Sequence, residues 1–453
     1  MERIKLSEHF HYGKLLRFVA PSILMMVFMS IYSIVDGFFV SNFVGGIPFA
    51  ALNLIFPLIM ILGSVGFMLG TGGNAVVSKA LGEQDSAKAN RIFSMLIYAA
   101  IILGVVLAAV GIAIARPVAI LFAANETSMS AADKALLIEY CVIYARIILA
   151  ALPAFMLQNA FQGFFVTAEK PRLGLYVTLA AGCANILLDA LFVGWFGWGL
   201  VGAAVATAMS QTVGGILPLF YFARKNDGLL RLGKTYFDGK VFARVCINGM
   251  SELMTNISLS VVSIFYNAQL MVYEGIAGVS AYGVIQYLGF IFIGVFLGYS
   301  LGVAPIVGYQ YGAENHSELK NVFKKSLVIM LAFGVLMLLV AVVFAKPLSA
   351  IFVHHDEKVL QLATTGMQLY STAFIACGVN IFASAFFTAL SNGGVSLLIS
   401  FSRTFVIQML AVLVLPTFMG VTGIWCALLV SESLTLLLTV GLFVGQRKNY
   451  HYA

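Results

Sequence analysis

Charge is what this 453-residue chain has least of: only 10% of its residues are Asp, Glu, Lys or Arg, against about 25% in soluble proteins. With 61% hydrophobic residues, a soluble fold would have to hide more apolar surface than a chain of this length can bury. Histidine is also scarce. The six (His9, His11, His316, His354, His355, His451) fall in terminal or loop segments, so intramembrane metal chemistry lacks its ligands. This counts against a membrane enzyme, and no metal or other cofactor is expected. The five cysteines (Cys141, Cys183, Cys246, Cys377, Cys426) stand singly in or beside apolar segments, and their odd number and spacing argue against a disulfide framework. A net charge of +7 suggests nucleic acid only until the positions are read. The basic residues sit in short loops between apolar runs, as membrane topology requires, and no nucleic-acid partner is expected.

What is present is a succession of apolar runs of membrane length, the mark of an all-α polytopic membrane protein in a lipid bilayer. Twelve spans are expected, at 15–40, 50–76, 93–114, 136–161, 173–194, 200–222, 245–271, 281–307, 326–345, 362–388, 395–416 and 423–444. The first is too long for a secretory signal and has no small-residue cleavage pattern. The termini and the connections after even-numbered spans hold 20 of the 26 Lys and Arg residues. The other side has four (Arg116, Lys134, Lys346, Lys358), and two (Arg146, Arg403) stand inside spans. The positive-inside rule then places both termini in the cytoplasm.

Mid-chain, Ala223 to Arg244 carries six of the basic residues. It divides the chain into an N-terminal six-helix bundle (1–222), a basic cytoplasmic linker (223–244) and a C-terminal six-helix bundle (245–453). The linker contains Gly228-x-x-x-x-Gly233-Lys234-Thr235, a literal phosphate-loop match. That motif needs a strand before it and a helix after it inside a nucleotide-binding domain. Membrane-length runs flank it here, so no nucleotide site is expected.

The two sides of the linker read as copies. ALGEQDSAKANRIF after span two returns as QYGAENHSELKNVF after span eight, 230 residues on. ARPVAILF from Ala115 returns as AKPLSAIF from Ala345, and GLVGAAVATAMSQ from Gly199 as GVTGIWCALLVSE from Gly420. Six spans per half is an even number, so the halves share one orientation, related by a pseudo-two-fold axis along the membrane normal. Parallel repeats of this kind are a transporter architecture.

These residues resemble a known family. ALGEQDSAKANR and its echo, NILLDALFV in span five, VGAAVATAMSQ in span six and NGMSEL opening span seven are similar to the multidrug and toxic compound extrusion (MATE) transporters. The flavour is that of the bacterial MepA-like branch, and the resemblance covers almost the whole chain. It implies export of small cationic, lipophilic drugs or metabolites by antiport with protons or sodium ions, through alternating access, in the bacterial cytoplasmic membrane. A monomer is expected.

An ionisable residue inside a span is costly, and each is a functional hypothesis. Six stand well inside: Asp36, Arg146, Asp189, Glu252, Arg403 and Glu432. Topology puts Asp36, Asn185, Asp189 and Thr207 at a shared depth in the outer half of the first bundle, with Asn185 one helical turn from Asp189 on the same face. Hard oxygen donors suit sodium, and two close carboxylates suit a shared proton. The family places a cation site on matching positions, which the resemblance carries to Asp36, Asn185 and Asp189, and less closely to Thr207. Arg146 at similar depth offers another reading, a structural ion pair with either aspartate. In the second bundle, Glu252 is a possible coupling carboxylate or an ion-pair partner of Arg403. Glu432, the repeat partner of Gln211, has no obvious partner. Met25, Met29 and Tyr32 of span one, with Gln158 and Gln162 of span four, are candidate lining for a substrate cavity, since Met adapts its shape and aromatic faces attract cations.

Other classes fit less well. A flippase of lipid-linked saccharides would need several basic groups for a pyrophosphate, whereas the spans hold two arginines against four acids. A channel is disfavoured by the repeat. A major-facilitator transporter should show a Gly-x-x-x-Asp-Arg-like loop after span two, where this chain reads SKALGEQDSAKANR.

Overall fold

The computed structural model describes residues 4–124, 130–353 and 356–452; His354 and His355 lie outside the described residues. Every regular element among the described residues is a helix. In a bilayer the backbone groups of a span must be satisfied within that span, which a helix achieves. Spans one, two, three, six, nine and twelve are single helices: Tyr12–Phe43, Gly46–Gly82, Ser86–Ala124, Gly199–Ala223, His316–Val343 and Val421–Tyr450.

The other six carry irregularities, and the two halves repeat them. Span four is broken into Ala131–Ala150 and Leu152–Thr167 with a 53° bend, and span ten into Glu357–Ser371 and Phe374–Ala389 with a 54° bend. Pro153, which has no N–H to give, sits in the first turn after the break in span four, where it costs no hydrogen bond. Span five runs Pro171–Asp189 and continues as a π-helical turn, Ala190–Trp195. Span eleven likewise inserts a π turn, Ser402–Val406, between Gly393–Phe401 and Ile407–Met419. Spans seven and eight are joined more tightly than expected: within Gly239–Gly312 two helices meet at a kink at Gly275 and pack against each other, with Tyr266 stacked on Tyr282. Only Gly275 leaves helical geometry (φ +63°, ψ −149°), a conformation closed to residues with a Cβ. One glycine therefore does the work expected of a nine-residue connection.

Two large apolar cores form, with a small third cluster of Val40, Val193 and Ala203. One gathers buried residues from Ala51 to Phe222, with Leu230 and Val245. The other runs chiefly from Val262 to Tyr452 and also takes in Leu6, Phe10, Leu15, Phe18 and Val19. The start of the chain thus packs into the second core rather than the first. A strap before span one accounts for this. Its Leu6 N–H donates to Glu169 Oε1 of the first bundle (2.8 Å), while Leu6 O accepts from Gln310 Nε2 of the second (2.8 Å). Phe10 N–H donates to Glu318 Oε1 (2.9 Å), and Phe10 O accepts from Lys325 Nζ (2.7 Å). Lys14 beside Glu8 holds that exposed carboxyl below its usual range. On the same side of the molecule the bundles meet backbone to backbone. A Cβ on Gly82 would collide with Tyr309 O, and one on Gly312 with Lys79 O. The bundles are therefore closed together at the end that carries the termini.

The linker is extended and docked on span three. Arg231 N–H donates to Asn90 Oδ1 (2.6 Å), Gly233 N–H to Ser94 Oγ (3.0 Å), and Thr235 Oγ1 to Arg91 O (2.9 Å). The phosphate-loop match follows no strand, and its groups are already bonded: the Arg231 and Gly233 amides and the Thr235 hydroxyl to span three, the Gly228 amide to Asn226 and the Leu232 amide to Phe222.

Candidate functional site: a carboxylate pair in the first bundle

Spans one and five cross closely at Gly182, where an added Cβ would strike Phe28 and Tyr32. Span six is tied to span five by Ser210 Oγ donating to Ala181 O (2.7 Å). This three-helix contact is made by the spans that carry the four oxygen-bearing residues named from sequence: Asp36 on span one, Asn185 and Asp189 on span five, and Thr207 on span six. Asp189 is fully buried and Asn185 nearly so. The Asp36 and Asp189 carboxyls lie within direct interaction range of each other. Asp36 Oδ1, both oxygens of Asp189, Thr207 Oγ1 and Asn185 Nδ2 are buried with no hydrogen-bond partner by distance and angle among the described residues. Buried polar groups are rarely left so, and each costs about 1–3 kcal/mol. Two buried carboxyls within reach of each other have the chemistry to share a proton or to hold a small hard cation. Asp189 is also the last residue before the π turn of span five, a distortion frequent at functional sites.

The structure corrects the place given to Arg146. It lies on the exposed face of its helix, whereas Cys141, Tyr144, Ala145, Ile148 and Leu149 form the buried stripe. Among the described residues it makes no ion pair with Asp36 or Asp189. Tyr144 from that stripe stands near both aspartates instead. Sequence reading missed it, and also Tyr287 of span eight, whose hydroxyl would lie 3.1 Å from a Cβ on Gly37. No local pattern marks Tyr287, because it reaches the site across the bundle interface.

The cavity candidates join spans one and four in pairs. Gln158 stands within reach of Tyr32, and Gln162 Nε2 donates to Met29 Sδ (3.1 Å). Gln158 and Gln162 also line a narrow crevice with Phe161, Phe165, Thr178 and Pro218. Met25 is fully buried.

In the second bundle the expected pairing changes. Arg403 Nη1 donates to Glu432 Oε1 (3.1 Å), not to Glu252. Glu432 Oε2 accepts from Asn380 Nδ2 (2.8 Å), and Asn380 Oδ1 from Thr439 Oγ1 (2.8 Å). Both members of the ion pair are buried, with 11% and 2% of their side chains exposed. Glu432 therefore has a full set of partners. Glu252 sits half-buried within electrostatic reach of Arg403 but without an ion pair to it. The repeat explains the asymmetry. Gln211, Gln158 and Gly182 stand in the first bundle where Glu432, Asn380 and Arg403 stand in the second, so the first bundle lacks the internal cation.

Compared with known proteins, the chain matches the MatE family model over residues 21–191 and 253–414, once in each bundle. The chain is a member of the MatE family. The curated relatives of this MatE chain include the multidrug export protein MepA of Staphylococcus haemolyticus, 24% identical over 94% of this chain and 92% of that one. MepA of Staphylococcus aureus strain NCTC 8325 is 22% identical over 93% and 91%. Among solved structures, a MATE protein in complex with MaL6 superposes with a TM-score of 0.86 at 20% identity, covering 98% of this chain and 97% of that one. A MOP superfamily transporter from Pyrococcus furiosus, described as having a binding pocket of reversed polarity, gives 0.87 at 19% identity over 99% of each chain. These likenesses show the fold of this MatE protein: two parallel bundles of six spans.

The linker motif yields a check. Purified wild-type protein and Lys234→Ala are expected to show the same background ATP turnover, because the motif's backbone is held by span three. An ATPase activity that disappears in Lys234→Ala would contradict the assignment.

Proposed function

We propose that this MatE protein exports small lipophilic cations by antiport, with a proton or sodium ion bound between Asp36 and Asp189. The observation that carries this is the buried pair of carboxyls, which make no ion pair among the described residues, with buried unpartnered atoms of Asn185 and Thr207 on the same spans. A buried charge without a partner is strongly unfavourable, so occupation by a cation changes the stability of the surrounding helix packing. That change is the differential interaction a ligand needs to shift a two-state equilibrium. Spans one, five and six move apart or together according to whether the pair is neutralised, and drug release follows from the repacking. The names of the MepA relatives support a multidrug substrate range, and Met29, Tyr32, Gln158 and Gln162 between spans one and four are the proposed drug contacts. Both termini and the linker face the cytoplasm in this reading, so the closed end of the bundles is the cytoplasmic one.

Cells deprived of their own efflux pumps should accumulate less ethidium, a lipophilic cation, when they express this chain; equal accumulation would sink the proposal. In the same cells, on a cysteine-free background, an impermeant thiol reagent should reach Ala132→Cys but not Lys240→Cys. Labelling of Lys240→Cys from outside would reverse the orientation.

A further inference from the structure

The linker holds a feature that drug export does not use. Where span six ends, an open groove of about 670 Å³ lies between its last turn and the linker, lined by Phe220, Tyr221, Arg224, Lys225, Asn226 and Arg231. Its charge is one-sided. The acid on its wall, Asp227, is bonded to Lys170 Nζ (2.5 Å). Arg231 gives its guanidinium only to the backbone oxygen of Asn226. Arg224 and Lys225 are exposed and form no ion pair among the described residues. Three cations therefore face the groove against one carboxylate, Asp227, which is itself bonded to Lys170.

The floor is fixed by the chain itself. Asn226 Oδ1 accepts from Gly228 N–H (2.9 Å), and its Nδ2 donates to Tyr221 O (3.3 Å). Leu232 N–H donates to Phe222 O (2.8 Å), which ties the linker back to span six. The rim on the span side is apolar: the Phe220 ring is 59% exposed on the last turns of a membrane-length helix. Beside the groove, the linker also exposes Tyr236 and Phe237, and the Arg91 guanidinium lies 5.2 Å over the Tyr236 ring. Aromatic rings of this kind mark the depth of the headgroups. A cationic floor joined to an apolar rim at the end of a span matches an amphiphile with an anionic head.

We propose that this groove binds the phosphate headgroup of an anionic phospholipid in the leaflet on the linker side, with Arg224, Lys225 and Arg231 on the phosphate and Phe220 against the first acyl carbons. A soluble phosphate compound would use the floor and leave the rim unused. The bound lipid holds the linker, and through it the ends of spans three and six, to the membrane surface.

The test needs no transport and so stands apart from the export proposal. Full-length protein in neutral detergent is titrated with phosphatidylglycerol or phosphatidylcholine, and bound lipid is read by native mass spectrometry. The wild type is expected to retain phosphatidylglycerol in clear preference to phosphatidylcholine. A basic group near a membrane surface strengthens anionic lipid binding by a factor of about five. Lys225→Gln, at an exposed site, should therefore weaken retention about five-fold. Replacing Arg224, Lys225 and Arg231 together by Gln should weaken it on the order of 100-fold. Lys234→Gln, which removes a linker cation outside the groove, should change nothing. Equal retention of the two lipids, retention unaffected in Lys225→Gln and the triple variant, an equal loss in Lys234→Gln, or displacement of the lipid by millimolar inorganic phosphate would each overturn the assignment.

Discussion

Asp36→Asn and Asp189→Asn are each expected to reduce gradient-driven drug efflux to the level of vesicles without the protein, while both variants fold and reach the membrane. Asparagine keeps the shape of the carboxylate and removes its charge, so packing between spans one and five survives and the ion site does not. The geometry makes the two positions non-redundant. Their carboxyls lie within reach of one another, and in the proposed site the loss of one acid would leave a monovalent cation half the charge. Asn185→Ala and Thr207→Ala should have smaller effects, because each removes a neutral ligand. Glu252→Gln should leave more activity than either aspartate variant, since Glu252 has no second acid paired with it in its own bundle. If Asp36→Asn and Asp189→Asn both pump normally while Glu252→Gln is inactive, coupling belongs to the second bundle.

The second large effect concerns stability. Glu432→Gln should destabilise the second bundle by about 3–5 kcal/mol, the usual cost of leaving one member of a buried ion pair uncompensated. Arg403 is sunk between spans ten, eleven and twelve, with Glu432 as its only ion-pair partner among the described residues. Asn380 and Thr439 are organised around that carboxylate. Replacing both charges together, Arg403→Met with Glu432→Met, should recover much of the loss, because the desolvation cost disappears with the charges. Thermal unfolding in detergent of the two single variants and the double variant measures this directly. A Glu432→Gln protein as stable as the wild type would show that the pair does not hold the bundle together.

The two effects separate the bundles by task. Carboxylates without a cation sit in the first, and a carboxylate satisfied by Arg403 sits in the second. Gly182 at the position equivalent to Arg403 is part of this division. It gives Phe28 and Tyr32 of span one room to approach span five, where the second bundle places a guanidinium.

The spans and their repeat were legible in the sequence because hydropathy and even spacing are properties of the chain alone. The clustering of Asp36, Asn185 and Asp189 was legible because helical topology converts position into depth. The features that sequence left hidden all depend on contacts between distant segments. The choice of Glu432 over Glu252 by Arg403 is set by how spans eleven and twelve rotate against each other. Tyr287 approaches Asp36 from the other bundle. The strap from Leu6 to Phe10 carries no motif that announces its role, yet its backbone is bonded to Glu169, Gln310 and Glu318, each more than 160 residues away. The exposed position of Arg146 followed from the buried stripe of its helix, which the near-uniform apolar character of span four conceals. The tight kink at Gly275 between spans seven and eight was hidden because a lone glycine resembles the start of a loop.

The most direct test is coupled flux in proteoliposomes that contain only this protein, ethidium as the drug and no ATP. With an inward sodium gradient or an inward proton gradient imposed separately, wild-type protein should drive ethidium outward under at least one of them, with matching uptake of that ion. Asp36→Asn and Asp189→Asn should abolish both fluxes together. Ethidium movement that needs neither gradient, or that continues undiminished in the two aspartate variants, would contradict ion-coupled export through the carboxylate pair.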